Sequence, residues 1–146
     1  MKKLLALFVF CLILLPGKAQ TSDWNKMVQE FVKGFDDEAK TIEEQFTSLG
    51  INAQVSTAYN SSKKQLELKI NLPEVMWNIF DNTAVTASKE AMVQEYRKAY
   101  KDDADFAAFI NVMKENNSSF QISYTTDSNG KLLSKSFTIS PNEIIN

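Results

Sequence analysis

Apolar residues recur at Trp24, Met27, Val28, Phe31, Phe35, Ile42, Phe46 and Leu49. Spacings of three, four and seven put them on one face of a helix running from Asp23 to Leu49. Ser22 or Asp23 supplies a side-chain cap for its first amides, and Gly50 stands where a helix ends in a left-handed residue. The period then shortens to two. Ala53, Val55, Thr57 and Tyr59 alternate with polar residues, and after Asn60-Ser61-Ser62-Lys63 the run Gln65 to Ile70 alternates again. That is a hairpin with one apolar face.

A second hairpin is marked by Ser128-Asn129-Gly130-Lys131, because Asn-Gly supplies the two positive φ values of a type I′ turn. With Asn129-Gly130 as the loop, Tyr124 pairs with Lys135, Ile122 with Phe137 and Phe120 with Ile139 on one mostly apolar face. The opposite face pairs Thr125 with Ser134, Ser123 with Ser136 and Gln121 with Thr138, and it is wholly polar. A sheet dry on one side and wet on the other is the common antiparallel arrangement.

Between the hairpins the helical period returns. Leu72 to Phe80, capped from Asn71, carries apolar residues at 72, 75, 76, 79 and 80. A helix from about Ala84 to Tyr100 follows the break at Asp81-Asn82-Thr83, and another carries Phe106, Phe109, Ile110 and Met113 to Asn116-Asn117. Ser140-Pro141-Asn142-Glu143 is a capping box with Pro in the first helical position, so a short helix closes the chain. The order α-ββ-α-α-α-ββ-short α predicts an α+β domain. Its expected form is a four-stranded antiparallel sheet from two hairpins, with the helices packed on one face.

The first residues read differently. Met1-Lys2-Lys3 is a short basic segment, Leu4 to Leu15 is an unbroken apolar run, and Gly17 and Ala19 are the small residues a signal peptidase needs. The run is too short to span a bilayer comfortably. Residues 1–19 are therefore expected to be a signal peptide cleaved between Ala19 and Gln20. The remaining 20–146 form a single domain, periplasmic or secreted and bacterial in style, without a membrane anchor. Cys11 is not a lipidation site: Phe10 precedes it where a small residue is required, and the apolar run continues beyond it. Cleavage lowers Lys+Arg from 16 to 13 against 18 Asp+Glu, moving the net charge from −2 to −5. An acidic domain without a basic stripe lacks the phosphate-neutralising charge that nucleic-acid binding requires.

Composition narrows the chemistry further. The chain has no His, and its one Cys lies in the leader, so imidazole and thiolate chemistry are missing after cleavage. No metal site of the usual nitrogen or sulfur kind and no cofactor is expected. Asp102-Asp103-Ala104-Asp105 lacks the twelve-residue calcium-loop pattern and reads as a helix cap. Asp36-Asp37-Glu38 and Glu43-Glu44 read as a solvated helix face. Ser-x-x-Lys occurs at Ser61–Lys64 and Ser128–Lys131, both at hairpin tips, whereas a Lys acting as a base must be desolvated. The aromatic residues at helical spacing, Trp24, Phe31, Phe35 and Phe46 with Trp77 and Phe80, read as core.

No catalytic residue is therefore expected. What remains is the polar sheet face, with Gln54, Ser56, Gln121, Ser123, Thr125, Ser134, Ser136 and Thr138 as candidate binding residues, to which Gln65, Glu67 and Lys69 add. The leading expectation is an exported, non-catalytic binding module that engages a protein partner in the envelope as an inhibitor, immunity protein or assembly factor. The alternative is a carrier of a small apolar ligand, with a pocket between sheet and helices. A carboxylate-dependent hydrolase stands third.

Overall fold

A computed structural model describes residues 24–146, apart from the side chains at 31, 35, 37, 38 and 42. The expectations for the signal peptide, its cleavage after Ala19, Cys11 and the Ser22 or Asp23 cap lie outside the described residues. So do the roles assigned to the side chains of Phe31, Phe35, Asp37 and Glu38. The first described element is helix α1 (Trp24–Ser48), which buries Met27, Val28, Ala39 and Phe46 and ends at Gly50 with φ +76°. That angle is left-handed, where a side chain would be strained. Among the described residues, no helix is long and apolar enough to cross a membrane.

Strands β1 (Gln54–Asn60) and β2 (Gln65–Asn71) form the first hairpin. The Asn60 carboxamide closes its loop by accepting from the Ser62 hydroxyl at 2.8 Å and the Lys63 amide at 3.2 Å. Strands β3 (Ser119–Ser128) and β4 (Lys131–Ile139) form the second, in the register that the Asn129-Gly130 turn implies. Asn129 and Gly130 have φ +54° and +75°, as a type I′ turn requires.

The four strands lie in the order β1-β2-β3-β4, and the protein is α+β with helices packed on the sheet. The sheet is mixed, not purely antiparallel: β2 and β3 run parallel, Leu66 beside Phe120 and Ile70 beside Tyr124. A hairpin fixes orientation only within itself. Here residues 72–118 carry the chain back to the end where β2 begins, and the Ser119 amide bonds to the Lys64 carbonyl at 3.1 Å. A parallel neighbour needs such a crossover.

The crossover holds three helices: α2 (Glu74–Trp77), α3 (Asn82–Asp102) and α4 (Ala104–Glu115). The helix expected over 72–80 shrinks to a single α-helical turn, because Asn71 is still in β2 and Pro73 holds Leu72 extended. The Leu72 amide bonds to the Thr125 carbonyl at 2.7 Å, which prolongs the ladder one residue past the strand. Val75 and Ile79 are left exposed, while Phe80 is buried against Tyr124 at a ring separation of 4.3 Å. Asp81 caps α3 through the Ala84 amide, and Asp103 caps α4 through the Phe106 amide, both at 2.8 Å. Met92 and Tyr96 of α3 and Ile110 and Met113 of α4 meet Leu66, Ile122 and Ile139 of the sheet in one continuous core.

The closing helix α5 (Pro141–Ile145) is tied to α3 from two sides. Arg97 donates to the Glu143 carbonyl at 2.8 Å, and Lys89 pairs with the Glu143 carboxylate at 2.8 Å. That carboxylate also accepts from the Ser140 amide at 2.9 Å, completing the box predicted from sequence. Desolvation pushes the Glu143 pKa up, but the Lys89 and Ser140 hydrogen bonds and the Lys89 charge outweigh it, and the net shift is downward. Glu143 therefore contributes stability above the ordinary carboxylate pKa, and that contribution fades as pH falls through its own lowered value. Glu143→Gln should be less stable than the parent at neutral pH, with the gap closing in acid; urea midpoints across a pH series check this.

Inside the core, the Tyr124 hydroxyl meets the Ser88 hydroxyl at 2.7 Å, both residues being buried. Burial raises the Tyr124 pKa, and the Ser88 hydrogen bond only partly opposes it. The pair satisfies two polar groups that would otherwise be stranded. Ser88→Ala should cost about 1–3 kcal/mol by leaving the phenol unpaired. Ser88→Ala with Tyr124→Phe should recover part of that loss in the same denaturation experiment.

Candidate functional site

Alternation in all four strands sends one set of side chains to the helices and the other to the opposite face. The register aligns that second set in rows across the sheet. One row is Ser56, Lys69, Ser123 and Ser136; the next is Ala58, Glu67, Gln121 and Thr138; a third is Gln54, Asn71, Thr125 and Ser134. Of these twelve residues only Ala58 is apolar, and only Glu67 and Lys69 carry charge. The parallel pairing does not disturb the segregation, because it sets Lys69 beside Ser123 and keeps both hairpins facing the same way.

Several of these side chains are held by their neighbours. The Thr138 hydroxyl donates to the Gln121 carboxamide at 2.7 Å, and the Asn60 amide donates to Glu67 at 3.0 Å. Gln54, Ser56, Ser134 and Ser136 are exposed, while Gln121, Ser123 and Thr138 are half-buried. Thr125 differs. It is 2% exposed on a central strand, flanked by Asn71 and Ser134, and its hydroxyl reaches the Asn71 carboxamide at 3.4 Å. Its side chain is covered in this arrangement, unlike the other candidates on the face. Asn71 and Asn60 belong to the face although the sequence reading assigned one to a helix cap and the other to a turn. Continuing the alternation of β2 beyond Ile70 would have found Asn71.

The other candidate groups fall into ordinary places. Lys64 and Lys131 of the two Ser-x-x-Lys spacings are exposed, and Ser128 bonds to Glu74. Among the described residues, no group of three or more Asp, Glu, His or Cys is placed to hold a metal ion. Glu43 corrects its reading as part of a solvated face: its carboxylate accepts from the Val55 amide of β1 at 2.8 Å, and Asp36 accepts from the Thr57 hydroxyl at 3.2 Å. These contacts lay α1 along the outer edge of β1.

A groove of about 580 Å³ opens where the first turns of α1 meet β1. Val28, Val32 and Tyr59 supply its apolar wall, and Gln29, Lys33 and Asp36 its polar one. Trp24 fixes the ring of Tyr59 by donating to its hydroxyl at 3.0 Å with the rings edge to face. The groove lies at the β1 margin of the sheet, away from the layer where α3 packs on β4 and the rings of Tyr96 and Phe109 meet Phe120 of β3.

Compared with protein-family models, curated proteins and solved structures, the chain has no match in any of the three. The site is therefore read from its geometry. If the polar face carries no packing, Ser56→Ala and Ser136→Ala should each stay within about 0.5 kcal/mol of the parent. Thr125→Arg, forcing a charge into a covered position, should cost several times more; urea denaturation separates the two classes.

Proposed function

We propose that this chain is an exported, non-catalytic binding module whose polar sheet face docks a partner protein of the cell envelope, as an inhibitor, immunity protein or assembly factor. The observation that carries the reading is the row-by-row alignment of hydrogen-bonding side chains on a sheet face that none of the described helices covers. Such a surface offers donors and acceptors at strand spacing and little net charge. It therefore suits a partner surface that is itself polar and nearly neutral, recognised by hydrogen bonds and not by charge steering. The acidic surface expected after leader removal argues against a nucleic-acid partner.

The internal hydrogen bonds add to this reading. Gln121 and Thr138 are already oriented by each other, so less side-chain freedom is lost when a partner arrives. The groove beside Tyr59 is the feature that favours the alternative, a small apolar ligand. Its polar wall of Gln29, Lys33 and Asp36 makes it less suited to that than an enclosed apolar cavity.

The test uses two positions in the middle of the face. Ser56→Arg with Ser123→Arg should abolish capture of the envelope partner that the parent chain retains from extract, while the fold is retained by circular dichroism with a lower thermal midpoint, because both arginines flank Lys69. A partner held equally by parent and double variant overturns the face as its site.

A further inference from the structure

β4 is an edge strand, and the direction of its backbone groups can be assigned. The Ser119 amide bonds to the Lys64 carbonyl, and the Thr125 carbonyl accepts from Leu72. Odd-numbered residues of β3 thus turn their backbone toward β2, and even-numbered ones toward β4. The β4 partners of those even residues are Lys131, Leu133, Lys135, Phe137 and Ile139. Leu132, Ser134, Ser136 and Thr138 therefore direct their N–H and C=O groups away from the sheet. Among the described residues, no hydrogen bond reaches those outward groups.

Natural edge strands are usually blunted by proline, a bulge, a short length or outward charge. β4 is nine residues long with no proline and no bulge, and its two lysines stand beside the turn (Lys131) and on the helix side (Lys135), off the row of outward backbone groups. Its register runs unbroken from Ser128–Lys131 to Phe120–Ile139, and its outward residues are Leu, Ser, Ser and Thr. Lys135 is turned inward, its ammonium 4.4 Å from the centre of the Trp77 ring and bonded to the Phe80 carbonyl. The opposite edge is treated differently, since α1 lies along β1 and Glu43 occupies the Val55 amide.

We propose that β4 pairs antiparallel with β4 of a second copy of this chain, joining two sheets into one of eight strands across a two-fold axis. Only another extended backbone supplies N–H and C=O groups at the spacing the edge presents. With Ser136 facing Ser136 of the copy, Ser134 lies opposite Thr138, Leu133 opposite Ile139 and Lys135 opposite Phe137. No like charges oppose one another in that register, as they would if Lys135 faced itself. The half-buried Leu133 and Phe137 gain cover from the copy. Because the β1 edge is occupied, addition stops at two copies and no fibre grows. The two polar faces then form one continuous surface. This pairing follows from the backbone and stands whether or not a partner protein docks on the face.

The experiment is sedimentation of the purified chain from low micromolar concentrations to several hundredfold above. The expected result is a two-chain mass that dissociates on dilution. Ser136→Pro removes an outward N–H and no bond to β3, as an edge position allows. It should weaken the dimer about tenfold or more, since each copy loses one bond across the axis. Ser134→Lys with Ser136→Lys, which brings four like charges together at the axis, should give single chains and decides the matter if the proline variant fails to fold. Ser56→Arg with Ser123→Arg should leave the dimer intact. A single-chain mass at every concentration overturns the proposal. So does a dimer that survives both β4 variants, or one that the Ser56 and Ser123 pair abolishes.

Discussion

A parallel neighbour cannot be reached by a tight turn, so the pairing of β2 with β3 obliges the chain between them to cross the sheet before it can pair again. Everything else in the fold follows from how that connection is made. It consists of helices, whose apolar faces need a cover, and the cover available is the apolar side of the strands they connect. Met92, Tyr96, Ile110 and Met113 therefore settle over Leu66, Ile122 and Ile139. Since all of the crossover lies on that side, the other side of the sheet receives no helix among the described residues.

The bare face is a consequence of this one-sidedness and also a condition for it. A face of leucines in place of Ser56, Ser123 and Ser136 would have demanded a second helical layer, and among the described residues the long helices are already packed on the other side or along β1. The helix α1 is committed to β1, where Glu43 binds a backbone amide that a further strand would otherwise use. Polar side chains at these positions thus belong to the architecture before they belong to any function. Their use as a docking surface exploits a region that the core does not need.

The two edges of the sheet show how local chemistry separates a finished boundary from an unfinished one. At β1, a helix runs alongside and a carboxylate accepts from the strand. At β4, Lys135 points to the helix side, over Trp77 and onto the Phe80 carbonyl. The outward backbone groups belong to the neutral residues Leu132, Ser134, Ser136 and Thr138. The short α2 segment takes part in this, because it is what brings Trp77 and Phe80 within reach of Lys135.

Much of this was legible from the chain because it depends on neighbours in sequence. The period of three to four for α1, α3 and α4, the capping roles of Asp103 and Ser140, and the Asn129-Gly130 turn are local. That turn also fixes every pair in the second hairpin and hence the polar identity of Gln121, Ser123, Ser134, Ser136 and Thr138. Relations between distant segments were not legible. Two hairpins read alike whether their inner strands run parallel or antiparallel, and only the path of residues 72–118 chose. Nor does alternation reveal that Thr125 is covered while Ser123 is reachable, that Glu43 serves an edge amide, or that Lys135, on the apolar side by its register, finds Trp77 and the Phe80 carbonyl there. Those outcomes depend on which groups packing brings within a few ångströms of each other, and sequence spacing carries no such distance.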